Sequence, residues 1–431
     1  MKQMAEEKRL RFPIWAFVLS GVLVGIPLSV FGLYLYIKAV EERRWADMRS
    51  YCEQVAREVL ARDSKRAVLR GEAVPGNAWE DYEPAIQSIQ YKNVSVASEY
   101  LSRHPKADRA NAQTAVEQCA TSLRALHRGA SRAESRRRAD WQSPGNGSSP
   151  SPNFLAIMAA CRARLLAEDG HTRDAVQVLL DAAQFGVDAG WNGDLMDGYM
   201  STGILHTTQE EMKWLLSGRT LGREECLELV RALEHLDQSF PREADAYAVE
   251  PMSTGCNYLR QGSLRAIMDA TGMSDPISPT WRYGFSERLV IVDAFEQNRA
   301  WSRGSQEAAG KPWKEARQEY FDQLDLRTAL RNPLLEKFYK IQQTLASSPP
   351  SPPRNPFRER LAQLRMLRAA ATFRFSGEAP VFDDPYGDKI RSSMTEKHLK
   401  LWSVGGDGVD DGGSGEWDAG KGKDIVLEVE R

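Results

Sequence analysis

Residues 154–187 read FLAIMAACRARLLAEDGHTRDAVQVLLDAAQFGV. Phe154, Met158, Cys161 and Leu165 recur at helical spacing and fall on one face of an α-helix. Gly170 supplies a stop, and Thr172 the N-cap of a second helix, whose Ala175, Leu179 and Ala182 form another stripe. The small-large-small order on that stripe lets two antiparallel helices approach closely. This stretch therefore predicts a helical hairpin, and it sets the fold class as mainly α.

The helical period extends in both directions. Upstream it predicts helices over Trp79–Leu101 and Asp108–His127, and an earlier one running through Trp45, Met48 and Val55 to Leu60. Downstream it predicts Leu195–Leu216, Glu224–Leu236, Ser286–Trp301 and Trp313–Leu330, the last interrupted by Asn332-Pro333 and resuming to Leu345. The Phe154–Val187 pair resembles a tetratricopeptide (TPR) unit in its length, its Gly170 and its small residues. The next pair is longer and does not repeat the spacing, so a TPR-like helical-hairpin array and an irregular helical bundle both fit. Gly129–Asn153, rich in Ser, Arg, Pro and Gly with no apolar period, reads as a flexible loop.

Phe12–Ile37 is a run of 26 residues without a charge. As a helix it would be about 39 Å long, against about 30 Å of bilayer hydrocarbon. It is too long for a cleaved signal peptide and lacks a small-residue cleavage site, so it predicts a retained single-pass anchor. Trp15, Tyr34 and Tyr36 suit the two membrane interfaces. Lys2, Lys8, Arg9 and Arg11 are packed before the span, while Lys38, Arg43, Arg44 and Arg49 follow it more loosely. With the α-amino group this places the N-terminus inside. The expectation is a bacterial inner-membrane protein whose bulk is periplasmic. Gly21, Gly25 and Ser29 form a small-xxx-small ladder that would let two anchors self-associate; Gly is also simply frequent in membrane helices.

The chain has 57 Lys and Arg against 59 Asp and Glu, a net charge of −2 that offers nucleic acid no global field. Nucleic acid is accordingly not among the expected partners. None of the five cysteines (Cys52, Cys119, Cys161, Cys226 and Cys256) shows metal-knuckle spacing. Cys161 and Cys226 lie on apolar stripes as small hydrophobes, and export would permit one structural disulfide. No HExxH, GxSxG or GxxxxGK[ST] motif occurs. His171 with Asp174 reads as a base with its orienter or, more simply, as a helix start. Nothing here points to an enzyme, and no catalytic residue or organic cofactor is assigned.

Ser347–Pro356 reads SSPPSPPRNP, a polyproline-like spacer and the clearest domain boundary. Beyond it come a short amphipathic helix, Arg360–Phe375, and two strands. Leu399, Leu401 and Ser403 mark one strand, and Ile425, Leu427 and Val429 the other. Between them lies a Gly-Asp loop, and Gly405–Arg431 carries eight acids against three bases.

Asp384-Pro385-Tyr386-Gly387, then Ser403-Val404-Gly405-Gly406-Asp407-Gly408 with Gly412-Gly413-Ser414-Gly415, then Asp424-Ile425 stand in an order that resembles the globular end of the type II secretion major pseudopilin. The resemblance covers about 75 of the 431 residues. It implies a small α+β module whose loop folds around calcium, with Asp407, Asp424 and the Val404 carbonyl as ligands; oxygen donors suit this hard cation. The loop is longer than the family's, and a solvated acidic turn without metal fits it as well. The span lacks the family's Gly and Glu at the start of its membrane helix, which argues against a pilus subunit.

The chain therefore divides as 1–11 tail, 12–37 anchor, 38–128 helical segment, 129–153 loop, 154–346 helical-hairpin domain, 347–356 linker and 357–431 pseudopilin-like module. The functional expectation is a non-enzymatic, membrane-anchored envelope scaffold that engages a protein partner, with a link to secretion or pilus-like machinery resting on the tail alone. The alternatives are an enzyme with an unrecognised site in the helical domain and an atypical minor pseudopilin.

Overall fold

The computed structural model describes residues 14–62, 65–104, 107–136, 151–218, 221–262, 287–328, 355–417 and 423–430. Within them the chain is mainly helical, with thirteen helices and five short strands. It divides into two compact units, residues 1–53 with 255–295 and residues 54–254 with 296–431.

Helix α1 (Ile14–Ala61), most of which belongs to the first unit, runs unbroken from the apolar run into charged sequence. Every residue from Gly21 to Tyr36 is exposed, so this stretch is not a core helix. It is long and apolar enough to cross a membrane. Past it, Trp45, Met48 and Cys52 are buried at steps of three and four, the stripe of a helix that has gained a packing partner. Arg44 pairs with Asp293 at 2.6 Å, the Arg288 guanidinium lies 5.2 Å from the Trp45 ring, and Tyr51 meets Phe295 edge-on.

The second unit carries the hairpin predicted from 154–187. Helix α6 (Asn153–Glu168) and helix α7 (Thr172–Gly190) are joined at Gly170, whose φ of +83° makes the turn. Ala175, Leu179 and Ala182 are fully buried. Helix α8 (Leu195–Ser217) packs against α7, and α9 (Arg223–Ser239) follows. Upstream, the segment expected to be one helix over Trp79–Leu101 is two, α2 (Trp79–Ser88) and α3 (Tyr91–Leu101), because Ile89 and Gln90 take extended backbone. Likewise α4 (Arg109–Gln118) and α5 (Ala120–Ala130) break at Cys119. The stretch from Gly129, read as a loop, opens with the last two residues of α5 and then a strand. β2 (Arg132–Glu134) pairs in parallel with β1 (Val74–Asn77), neither of which shows a period-2 pattern of burial. Residues 137–150 of that stretch lie outside the described residues.

Helix α10 (Glu243–Gln261) was not expected from the sequence; α11 (Glu287–Ala309) and α12 (Trp313–Thr328) were. Of the Pro-rich stretch, only Asn355 and Pro356 are described. Beyond it, α13 (Pro356–Ser376) corrects two expectations. It is not amphipathic, since Glu359, Arg360 and Gln363 are buried along with Leu364, Leu367 and Phe373. Nor does 357–431 have a core of its own. α13 packs on α8 and α9 and also on strands β4 (His398–Ser403) and β5 (Ile425–Glu430), and one hydrophobic cluster runs from Leu179 and Leu233 through Leu367 to Leu401 and Leu427. β3 (Arg391–Met394) completes an antiparallel sheet of order β3-β4-β5. The burial of Leu399, Leu401 and Ser403 follows the predicted alternation.

Arg164 of α6 ties three helices together. Its guanidinium forks onto Glu211 of α8 at 2.9 and 2.6 Å, donates to the Leu101 carbonyl ending α3 at 2.7 Å, and lies 4.9 Å from the Trp214 ring. Both partners of the pair are buried. Removing one leaves an uncompensated charge, which costs about 3–5 kcal/mol. Denaturant unfolding of Arg164→Met should show a loss of that order, with much of it recovered in Arg164→Met/Glu211→Leu, where no charge is stranded.

Candidate functional site

The acidic loop between β4 and β5 is held at both ends by buried carboxylates. Asp384, at the head of the Asp-Pro-Tyr-Gly turn, accepts from the Tyr386 amide at 3.0 Å, the Ser403 hydroxyl at 2.7 Å and the Val404 amide at 3.0 Å. The turn closes through the Gly387 amide on the Asp384 carbonyl at 3.1 Å. Burial pushes the Asp384 carboxyl up, and these donors pull it back. In the sequence Asp384 stood out only as part of the Asp-Pro-Tyr-Gly motif; in the structure it clamps the start of the loop.

Of the three candidate ligands, Val404 is buried and gives its amide to Asp384. Asp407 turns its Oδ1 onto the Val409 amide at 2.9 Å. Its carbonyl accepts from Arg317 of α12 at 2.7 Å, and the neighbouring Gly406 carbonyl accepts from Trp313 Nε1 at 2.9 Å. Asp424 is fully buried; its Oδ2 accepts the Gly413 amide at 2.7 Å, while its buried Oδ1 has no hydrogen-bond partner among the described residues. Gly415 must be glycine here, since a Cβ would lie 1.6 Å from the Asp424 carbonyl oxygen. Burial raises the Asp424 carboxyl, Asp410 and Asp411 add to the rise, and the Gly413 and Asp411 amides oppose it. Asp410 closes the loop on the sheet by accepting from Trp402 Nε1 at 3.0 Å and pairing with Arg391 at 2.8 Å. Among the described residues no three His, Cys, Asp or Glu side chains gather as a metal cage. Asp418 lies outside them.

The helical region holds a polar cluster that no local motif announced. Asp188 of α7 is buried, accepts from the Tyr82 hydroxyl at 2.8 Å and from Gln184 at 3.3 Å, and lies 3.1 Å from Arg66 Nε. Two turns earlier on α7, Asp181 takes Arg70 at 3.0 and 3.1 Å, with His127 Nδ1 3.0 Å away. Arg66 also donates to the Gly129 carbonyl at 2.8 Å, so the cluster fastens the segment after α1 onto α5 and α7. Asp81 does the same for Arg128 and Arg132, at 3.0 and 2.8 Å. These carboxylates are spent on fixed arginines. Neither the 470 Å³ groove beside Tyr91 and Phe154 nor the 1030 Å³ hollow around Thr395 and His398 reaches them. His171 and Asp174 stand at the first turn of α7, as a helix start requires.

No family model, curated protein or solved structure matches the chain.

Burial pushes the Asp188 carboxyl up to about 6, against the pull of Arg66, Tyr82 and Gln184. An unfolded Asp titrates near 3.9. Between those values the native state keeps a proton that the unfolded chain has lost, so this group's contribution to stability is fully present below about pH 4 and declines as pH rises to about 6. The difference in unfolding free energy between the wild type and Asp188→Asn, followed from pH 4 to pH 7.5, should change by about 2–3 kcal/mol across that window and level off above it.

Proposed function

We propose that the chain is a membrane-anchored envelope scaffold without catalytic activity. In this reading Phe12–Ile37 crosses the membrane once, the N-terminal tail is cytoplasmic, and the helical bulk with its C-terminal strands is exported to engage a protein partner. The observation that carries the reading is the exposed apolar half of α1, continuous with a half whose Trp45, Met48 and Cys52 are packed. An apolar surface of this length in water would be a liability, and lipid is the solvent that removes it. The groove of Tyr91, Val94, Ser98, Phe154 and Ile157 between α3 and α6 supports a protein partner: Tyr91 is 72 % exposed there, and exposed aromatic anchors are characteristic of recognition surfaces. A TPR-like array would present such a groove, while a partner in secretion or pilus-like machinery rests on the pseudopilin resemblance alone.

The C-terminal loop belongs to this reading as a calcium site. The unpartnered Oδ1 of Asp424 is a donor that a hard cation would satisfy, and a cation would relieve the crowding of Asp410 and Asp411 around it. Asp407 and the Val404 carbonyl would complete the protein ligands, and the ion's role would be to fix the loop.

Fusion of alkaline phosphatase or green fluorescent protein to the C-terminus tests the topology in bacteria. Active phosphatase with a dark fluorescent fusion is expected, and the reverse pattern would refute an exported bulk. Calcium is tested separately by melting the full chain in detergent with millimolar calcium, with magnesium and with chelator. A rise specific to calcium and lost in Asp424→Asn is expected; an unchanged midpoint leaves a metal-free acidic turn.

A further inference from the structure

Four of the five cysteines are buried and the fifth, Cys256, is half-buried. Three of the buried thiols sit in the apolar interior of the second unit. Burial pushes the Cys119 and Cys226 thiols up and takes Cys161 to about 12. A thiol held neutral in this way is a poor nucleophile. In the first unit the situation differs. Cys52, on α1 fifteen residues past the apolar run, and Cys256, on α10, are neighbours, the residue beside Cys256 being packed on the Cys52 sulfur. Their contact depends on Gly255: a Cβ there would lie 2.5 Å from Cys52 Sγ and 2.8 Å from the Phe295 ring. The missing side chain lets the α10 backbone come up against the Cys52 sulfur, with Cys256 next in sequence. Tyr51 and Phe295, packed edge-on at 5.6 Å, flank the approach.

We propose that Cys52 and Cys256 are a dithiol–disulfide couple that latches α10 to α1, with Cys256 the attacking thiol and Cys52 the resolving one. Exposure sets the order, because Cys256 is reachable from solvent and Cys52 is not. The charge environment agrees. Cys52, and then Arg260, hold the Cys256 thiol below its ordinary value despite burial, while Cys52 is raised by Cys256 and by burial. The oxidant is a small-molecule or protein disulfide. The Cys256 thiolate attacks one of its sulfurs, the S–S bond breaks, and one thiolate leaves. Cys52 then loses its proton to solvent and attacks the Cys256 sulfur, expelling the second thiolate. Two protein thiols are oxidised and one external disulfide is reduced to two thiols.

The test uses the full chain in detergent, equilibrated with oxidised and reduced glutathione in varying ratio, quenched in acid, alkylated under denaturing conditions and digested with trypsin. Cys52 falls in peptide 50–57 and Cys256 in 243–260. The expected product joins these two peptides with the loss of two hydrogens, while Cys119, Cys161 and Cys226 are alkylated. Cys52→Ser and Cys52→Ala should both accumulate Cys256 as a mixed disulfide with glutathione, and Cys256→Ser should leave Cys52 as a free thiol. Recovery of both residues as alkylated thiols at every ratio, or a bond from either to another cysteine, would overturn the proposal. So would glutathione found on Cys52 in place of Cys256.

Discussion

Helix α13 is enclosed on its faces by other elements, and most of the second unit is arranged to make that tolerable. Its apolar residues are spread around the helix, so both the α8–α9 pair and the β4–β5 strands can pack on it. Its buried polar groups must then be satisfied from within. Glu359 and Arg360 pair at 2.6 Å, Gln363 donates to the Trp417 carbonyl at 2.6 Å, and Gln209 of α8 donates to the Arg360 carbonyl at 3.0 Å. Arg365 reaches Asp237 of α9 at 3.1 Å. The Gln209 and Arg365 bonds tie α13 to α8 and α9 and the Gln363 bond ties it to the loop before β5, so that loop cannot leave the helical array without stranding the buried Gln363 amide.

This arrangement also explains where sequence reasoning succeeded and where it failed. The α6–α7 hairpin was legible because its partners are its own neighbours and its stripes face one direction. The long apolar run of α1 was legible from its length and lack of charge alone, and the strands β4 and β5 from alternation against a single buried face. α13 was misread because Leu361, Leu364, Leu367 and Ala371 suggest one apolar face, whereas Glu359, Arg360 and Gln363 count as buried only once their distant partners are known. The Pro-rich stretch looked like a boundary by composition, but composition does not reveal whether the elements on its two sides share a core. β1 and β2, far apart in sequence, are short strands held by backbone pairing and by Arg132, which donates to the Pro75 carbonyl at 2.9 Å.

The candidate sites divide in the same way. Asp407 and Asp424 were singled out by the resemblance of their motifs to the pseudopilin loop; in the structure Asp407 lies in a loop with four glycines at positive φ, Gly405, Gly408, Gly412 and Gly413, and Asp424 directly precedes β5. The anchoring by Asp384 was not readable, because its partners are about twenty residues away on another strand. The cluster of Tyr82, Asp188, Arg66 and Asp181 left no signal at all, since Tyr82 and Asp188 are 106 residues apart, Arg70 and Asp181 are 111 apart, and each resembles an ordinary surface residue of its own segment. Chemistry-bearing residues gathered by topology alone are more often structural than catalytic when, as here, each acid already holds an arginine.

The two proposed devices make a common demand on location. A thiol pair that closes by exchange with an external disulfide stays oxidised only outside the reducing cytosol, and an extracellular-type calcium site of few protein ligands fills only where calcium is abundant. Cys52, Cys256 and the acidic loop all follow the apolar run of α1 in the chain, so a single crossing places them on one side of the membrane. With the N-terminus inside, that side is the one that supplies both the oxidant and the ion. In the opposite orientation the same residues would face reduced thiols and scarce calcium. On the proposed reading, the orientation of one helix would decide whether Cys52 and Cys256 form a latch or stay two thiols, and whether Asp424 meets a cation.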